Sequence, residues 1–170
     1  MNVGGHRLTN AELQAHFEAL GFAEVATFRA SGNVVFAGDD RPPPAVRASI
    51  EAGLEERLGY AVPALIRSAE QMRAIAERQP FASELISASA GKLQVGLLAE
   101  PAPLDARKRI EALAGEDDRV AFDGCELYWL PRAGVLDSQL DMQALARQLG
   151  VMTMRTKGTL ELIFAKHLAG

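Results

Sequence analysis

Two clusters near the start of the chain carry residue types that can hold an anion. The first is Asn2, Gly4 and Gly5; the second is Ser31, Gly32 and Asn33. Glycine lets backbone amides come close to a ligand, while Ser and Asn offer short polar side chains. A helix starting beside Thr9 would aim its first amides and the positive end of its dipole the same way. His6, Arg7 and Arg29 can add charge, and Arg29, just before the second cluster, is the principal cation. The chemistry these residues suit is non-covalent binding of a small anionic or nucleotide-like ligand. They suit a structural role equally, with Gly4 and Gly5 turning the chain and Asn33 bonding nearby backbone. Arg155 is a further candidate. An arginine leaving an apolar strand between Thr153 and Thr156 can hold a carboxylate or phosphate, or tie the last helix to the sheet.

The remaining reactive residues form no catalytic constellation. His6, His16 and His167 have no metal-binding spacing, and Cys125 has no second cysteine with which to form a thiolate site. Cys125 sits beside a turn without an evident base, so it reads as a structural thiol. Ser89-Ala90-Gly91-Lys92 matches a Ser-x-x-Lys pattern, but its companion motifs are missing. Glu116-Asp117-Asp118 lacks the glycine and final glutamate of a calcium loop and reads as a solvated turn. Tyr128 and Trp129 alternate along a strand, one expected in the core and the other at an interface. No catalytic residue, metal or cofactor is assigned.

These residues sit in a chain of 170 residues, 48% hydrophobic and 24% charged, which suits a globular protein of one large or two small domains. The net charge of -4, with no clustered cations, argues against duplex DNA as a specific partner. A lone cysteine excludes an internal disulfide. No apolar run reaches the ~18 residues of a membrane span, and the start lacks a secretory pattern. The expectation is a cytoplasmic protein.

The positioning elements follow from local signals. Thr9 and Glu12 have the spacing of a capping box, and Leu13, Phe17 and Leu20 then form a helical face that Gly21 ends. Residues 25–28 and 34–36 read as a hairpin about Ser31-Gly32-Asn33. Val46, Ile50, Leu54 and Leu58 mark a second helix behind Pro42-Pro43-Pro44, with Gly59 as its stop. Residues 62–66 read as a buried strand. Ser68 starts a third helix, with Met72 and Ile75 inward. Residues 80–91, rich in Ser and Ala, read as a linker. Residues 93–98 then read as a central strand, with a helix through Ala106, Ile110 and Leu113. A hairpin follows at 120–122 and 126–130. Next come a helix at 137–149, a short strand at 151–154 and a stretch at 159–168 whose Leu160, Ile163, Phe164 and Leu168 fit a helix and whose Leu160, Leu162 and Phe164 fit a strand, read as a helix because no turn signal follows.

The halves share one order of elements. The second reads strand, helix, strand, strand, helix, strand, helix; the first matches it once an opening strand is restored. The expected fold is therefore α+β, an α/β sandwich. It is a tandem of two ferredoxin-like βαββαβ units, the first lacking its opening strand. The expected boundaries are 1–80 for the first half, 81–91 for the linker and 92–170 for the second half with its C-terminal helix. In such a unit the sheet order is 4-1-3-2, which would bring Asn2, Gly4 and Gly5 to the Ser31–Asn33 end. The missing strand is then a central one, and its loss would leave backbone groups unpaired. Either the natural gene begins upstream of Met1, or another segment or chain fills the gap. A homo-oligomer with no small-molecule site is the alternative reading of function.

Several stretches resemble one bacterial family, domain of unknown function 1697. They are Asn2-Val3-Gly4-Gly5, Ala11-Glu12-Leu13, Leu20-Gly21-Phe22 and Ser31-Gly32-Asn33-Val34-Val35-Phe36. The likeness continues through Leu97-Leu98-Ala99-Glu100-Pro101, Leu127-Tyr128 with Pro131, Ser138 with Leu140, and Thr153-Met154-Arg155. The resemblance implies an α/β fold of ferredoxin-like character and no established activity. The chain departs from the family where Thr156-Lys157-Gly158 follow Arg155 and where Gln139 precedes Leu140. It also lacks the apolar Leu-Arg-Gly-Ile run that family members carry before Asn-Val-Gly-Gly.

Overall fold

A computed structural model describes residues 2–3, 6–29, 32–38, 40–114, 118–138 and 140–169. The chain divides into two compact units, Met1–Ile66 and Arg67–Gly170.

In the first unit β1 (Asn2–Val3) and β2 (His6–Arg7) pair antiparallel, Asn2 opposite Arg7. α1 (Asn10–Ala19) begins at the expected capping box. The Glu12 amide donates to Thr9 Oγ1 at 3.2 Å, and the Thr9 amide donates to the Glu12 carboxylate at 2.8 Å. Gly21, at φ +89°, carries the chain away from the helix. β3 (Ala26–Phe28) and β4 (Asn33–Val35) form an antiparallel hairpin with Thr27 opposite Val34. α2 (Pro43–Leu58) follows, ended by Gly59 at φ +78°. Its Val46, Ile50 and Leu54 pack with Leu13 and Phe17 of α1. The rings of Phe17, Phe22 and Phe36 close this core, Phe22 and Phe36 with centroids 4.6 Å apart.

The strand expected at 62–66 does not form. Val62 is buried in this core, with Ala64 and Ile66 packed against it, yet the stretch belongs to no sheet. A strand requires a partner for its backbone groups. Here the Ala64 amide instead donates to the Glu51 carboxylate of α2 at 2.9 Å.

The second unit opens with α3 (Ala69–Glu77) and α4 (Ser83–Ala88). β5 (Gln94–Leu98), α5 (Leu104–Ala114), β6 (Asp118–Asp123) and β7 (Glu126–Pro131) follow. α6 (Met142–Leu149), β8 (Met152–Thr156) and α7 (Lys157–His167) complete it. The strands make one antiparallel sheet in the order β6-β7-β5-β8. Every residue of β5 is buried. Leu98, Leu127 and Trp129 meet Ala106 and Ile110 of α5 and Leu145 and Leu149 of α6 in a single core. α7 packs on α3, and Lys157 Nζ donates to the Ala76 carbonyl at 2.7 Å.

The division between units thus falls between Ile66 and Arg67, ahead of the 81–91 stretch, and α3 groups with the second unit. The Ser- and Ala-rich stretch is itself organised: α4 occupies 83–88, and the Ala90 amide donates to the Arg132 carbonyl at 2.9 Å. The helix expected from Asp137 starts later, because Ser138 is drawn into other bonds. The Leu140 amide donates to Ser138 Oγ, and Asp141 then receives the Ala144 amide at the start of α6. No helix among the described residues is long and apolar enough to cross a membrane.

Candidate functional site

The hairpin between β3 and β4 sets two of the expected site residues on either side of one turn. Arg29 leaves β3 in a left-handed conformation, φ +57°, which costs a residue with a Cβ about 1–2 kcal/mol. Its exposed side chain carries the guanidinium to 5.5 Å from the centre of the Phe28 ring. Asn33 Nδ2 donates to the Phe28 carbonyl at 3.3 Å, bracing the turn across its mouth. Asn33 therefore does perform the structural role that its type allows. Asn2 lies in β1, opposite Arg7. Gly4, Gly5 and Ser31 fall outside the described residues.

The start of α1 has its own anion. Glu12 Oε2 accepts from the Thr9 amide at 2.8 Å and from the Thr9 hydroxyl at 2.7 Å. The bond from the Thr9 amide, then that from its hydroxyl, holds the Glu12 carboxyl below the usual glutamate range. A ligand anion seeking the dipole of this helix meets that charge first.

Arg155 belongs to the second unit, on β8 opposite Val95. Its Nη1 donates to Thr153 Oγ1 at 2.6 Å and to the Met154 carbonyl at 2.8 Å, and burial lowers its pKa. These bonds fold the side chain along its own strand. Thr156 accepts the Thr159 amide at the start of α7.

The other reactive residues are Ser89, Cys125 and His16. Ser89 Oγ donates to the Pro131 carbonyl and receives the Gly91 amide at 3.0 Å, so the Ser-x-x-Lys resemblance is a chain clasp. Burial pushes the Cys125 thiol up, away from thiolate chemistry. His16 keeps Nδ1 buried without a hydrogen-bond partner. Among the described residues, no three His, Cys, Asp or Glu side chains cluster as a metal site.

Sequence reasoning missed two polar centres, both in the second unit. Asp118, read as part of a solvated turn, is 3% exposed. Its Oδ1 accepts from Trp129 Nε1 at 2.9 Å, and its Oδ2 from Ser138 Oγ at 2.8 Å. Trp129 and Tyr128 are both buried, so neither serves as an exposed interface residue. Arg67 donates to Glu126 and to the Leu98 carbonyl, each at 2.8 Å, and to the Cys125 carbonyl at 3.2 Å. Asp118 gave no sequence signal of its own, because the hairpin reads from 120 and the acids before it as a turn. Arg67 gave none.

A family model described as a protein of unknown function, DUF1697, matches residues 1–128. Among solved structures, the conserved bacterial protein SP0830 from Streptococcus pneumoniae is similar at a TM-score of 0.70 and 20% identity. The match covers 97% of this chain and 92% of that one, and at such identity it bears on fold alone. No match was found among curated proteins.

Proposed function

This chain belongs to the protein family of unknown function DUF1697, and within it we propose a non-covalent binding module for a small anionic ligand. The site is the hairpin end of the first unit, with Arg29 as the charged contact and Asn2, Gly4, Gly5, Ser31 and Asn33 as polar and backbone contributors. The observation that carries this reading is the left-handed backbone of Arg29. Strain held by a non-glycine residue beside a turn marks positions kept for their side chain. Arg155, held along β8 by its bonds to Thr153 and Met154, is a separate candidate contact for a carboxylate or phosphate in the second unit. The accompanying fold is a tandem of two ferredoxin-like units, supported by the β6-β7-β5-β8 order of the second. A cytoplasmic setting completes the reading, supported by the single cysteine.

The test is thermal unfolding in a titration with sulfate, phosphate or a mononucleotide. The expected result is a melting temperature that rises with anion concentration. At an exposed position the Arg29 contact contributes about 1 kcal/mol, roughly fivefold in affinity. Arg29→Gly has two opposed effects. It raises the basal melting temperature, because glycine accepts φ +57°, and it weakens the anion-dependent increment by roughly fivefold in anion affinity. Glu12→Gln enlarges the increment by removing the competing charge. A folded chain with no anion-dependent shift would sink the proposal.

A further inference from the structure

β6 is an edge of the second unit's sheet, whose order is β6-β7-β5-β8. The bonds of β7 show which backbone groups of β6 are in use. The Leu98 amide donates to the Cys125 carbonyl at 2.9 Å, so Cys125, and by alternation Leu127 and Trp129, turn their backbone groups toward β5. Glu126, Tyr128 and Leu130 then face β6 and exchange bonds with Asp123, Ala121 and Arg119. The amides and carbonyls of Val120 and Phe122 point the other way, out of the sheet. Among the described residues no strand pairs with that side, and no turn or loop carbonyl takes either amide.

Proteins commonly guard such an edge with a proline or a bulge. β6 has no proline, and its register runs unbroken from Asp118 opposite Pro131 to Asp123 opposite Glu126. Its exposed charges have opposite signs. Val120 and Phe122 pack against the core that holds α5 and α6, so Arg119, Ala121 and Asp123 share the other face of the sheet. Arg119 and Asp123 are both exposed and stand at equal distances along the strand from Ala121. Asp123 meets Arg78 of its own chain at 3.2 Å, with both side chains half exposed, so that pair is weak and can be shared.

We propose that β6 pairs antiparallel with β6 of a second copy of the chain, about a two-fold axis at Ala121, and so continues the sheet across a dimer. In this register Val120 stands opposite the partner's Phe122. Both residues face outward, so they exchange a pair of ladder bonds, and the symmetry repeats the exchange. Arg119 stands opposite the partner's Asp123 in a non-hydrogen-bonded pair, where side chains come closest. Val120 and Phe122 meet their counterparts on the helix side, apolar against apolar. A shift of two residues either way sets Arg119 opposite Ala121 or Cys125 and loses the charge match. This self-matching selects a second copy over another extended chain, because one strand supplies both members of each pair. β8, the other edge, lacks it: its charge is Arg155, with no acid on the strand to answer it. A six-residue edge buries less surface than a permanent dimer needs, so the association is weak and reversible.

Sedimentation velocity over a roughly hundredfold range of concentration reads the equilibrium. The chain should pass from monomer to dimer. Hydrogen exchange should slow at the Val120 and Phe122 amides as it does so, and stay unchanged at Ala121, which faces β7. Arg119→Asp and Asp123→Arg each set like charges opposite one another, so each variant alone should self-associate roughly tenfold more weakly. Mixed in equal amounts, they restore both opposite-charge pairs and should associate as tightly as the parent. Both positions are exposed, so the fluorescence of Trp129 should be that of the parent in each variant. Val120→Pro removes an outward amide from an edge that tolerates proline, and should weaken the dimer without unfolding the chain. A parent that stays monomeric at every concentration would overturn the proposal. So would a dimer that neither charge variant weakens, or a mixture no tighter than its components, since either result puts the contact on another surface.

Discussion

Replacing Asp118 by alanine removes the acceptor of two hydrogen bonds where solvent does not reach. Trp129 Nε1–H and the Ser138 hydroxyl lose their partner together. Bonds to a charged acceptor contribute about 1.5–3 kcal/mol each, which brackets the loss at about 3–6 kcal/mol. Deleting the carboxylate also returns its desolvation cost, so the lower part, about 3–4 kcal/mol, is expected. Ser138→Ala removes one of those bonds and the acceptor of the Leu140 amide, for about 2 kcal/mol. The double variant should lose less than the sum by about 1.5 kcal/mol, because the Asp118–Ser138 bond is broken once. Urea unfolding reports this through Trp129, the single tryptophan, which reads the second unit alone. With a slope of about 1.5 kcal/mol per M, the Asp118→Ala midpoint should fall by about 2 M. A shift below about 0.5 kcal/mol, the size of an ordinary surface substitution, would refute the reasoning. So would strict additivity with Ser138→Ala.

Thr9→Ala opens the capping box of α1 and should cost about 1 kcal/mol in thermal or urea unfolding. The same variant should raise the Glu12 carboxyl toward its ordinary range by NMR titration. With the box intact, the stabilisation from Glu12 is present above the unfolded-state pKa and lost as pH falls through the lowered folded value. Burial first, then Glu126 and Asp123, push the Tyr128 phenol up to about 12, against the opposing charge of Arg78. The unfolded chain releases this proton near ~10, so stability should decline as pH climbs from there through the folded value. Tyr128→Phe should flatten that decline, and an unchanged alkaline limb would contradict it. A Cβ on Gly91 would stand 2.7 Å from Pro131 Cγ and against the Pro131 carbonyl, so Gly91→Ala should destabilise the second unit by about 1–3 kcal/mol. Equal midpoints for Gly91→Ala and the parent would show that the clasp at Ser89 can move aside.

Local signals were read correctly where their partners lie within a few residues. The Thr9–Glu12 box fixed the start of α1, and Ser68 with Gln71 makes a second box at α3. At the final helix the spacing of Leu160, Ile163 and Phe164 fits a helix and that of Leu160, Leu162 and Phe164 a strand, so the run of residues without a turn signal decides it, and a helix forms. Misreadings came where the partner is distant. Residues 62–66 have the pattern of a strand, but the stretch joins no sheet, and the Ala64 amide goes to the Glu51 carboxylate instead. Three consecutive acids looked solvated because the sequence does not show that Asp118 opens a strand facing the one that bears Trp129. That misreading displaced the start of α6, since Ser138 turns to Asp118 instead of beginning a helix. At the candidate site, the bracing bond of Asn33 follows from its type, whereas the left-handed backbone of Arg29 has no signature in composition or periodicity.

The packing of α3 on α7 carries a consequence for synthesis on the ribosome. Ala76 and Lys157 are 81 residues apart in the chain, and their bond ties α3 to a helix made much later. At about 5–20 residues per second, α3 waits roughly 4–16 s after it emerges before α7 exists to cover it. During that interval Met72 and Ile75, buried in the finished protein, face water or a chaperone. Translation arrest or a frameshift ahead of Lys157 makes the wait permanent. Such products expose the apolar stripe of α3 and should go to aggregation or proteolysis, so a lesion in the codons for α7 acts on a helix encoded roughly 80 residues earlier.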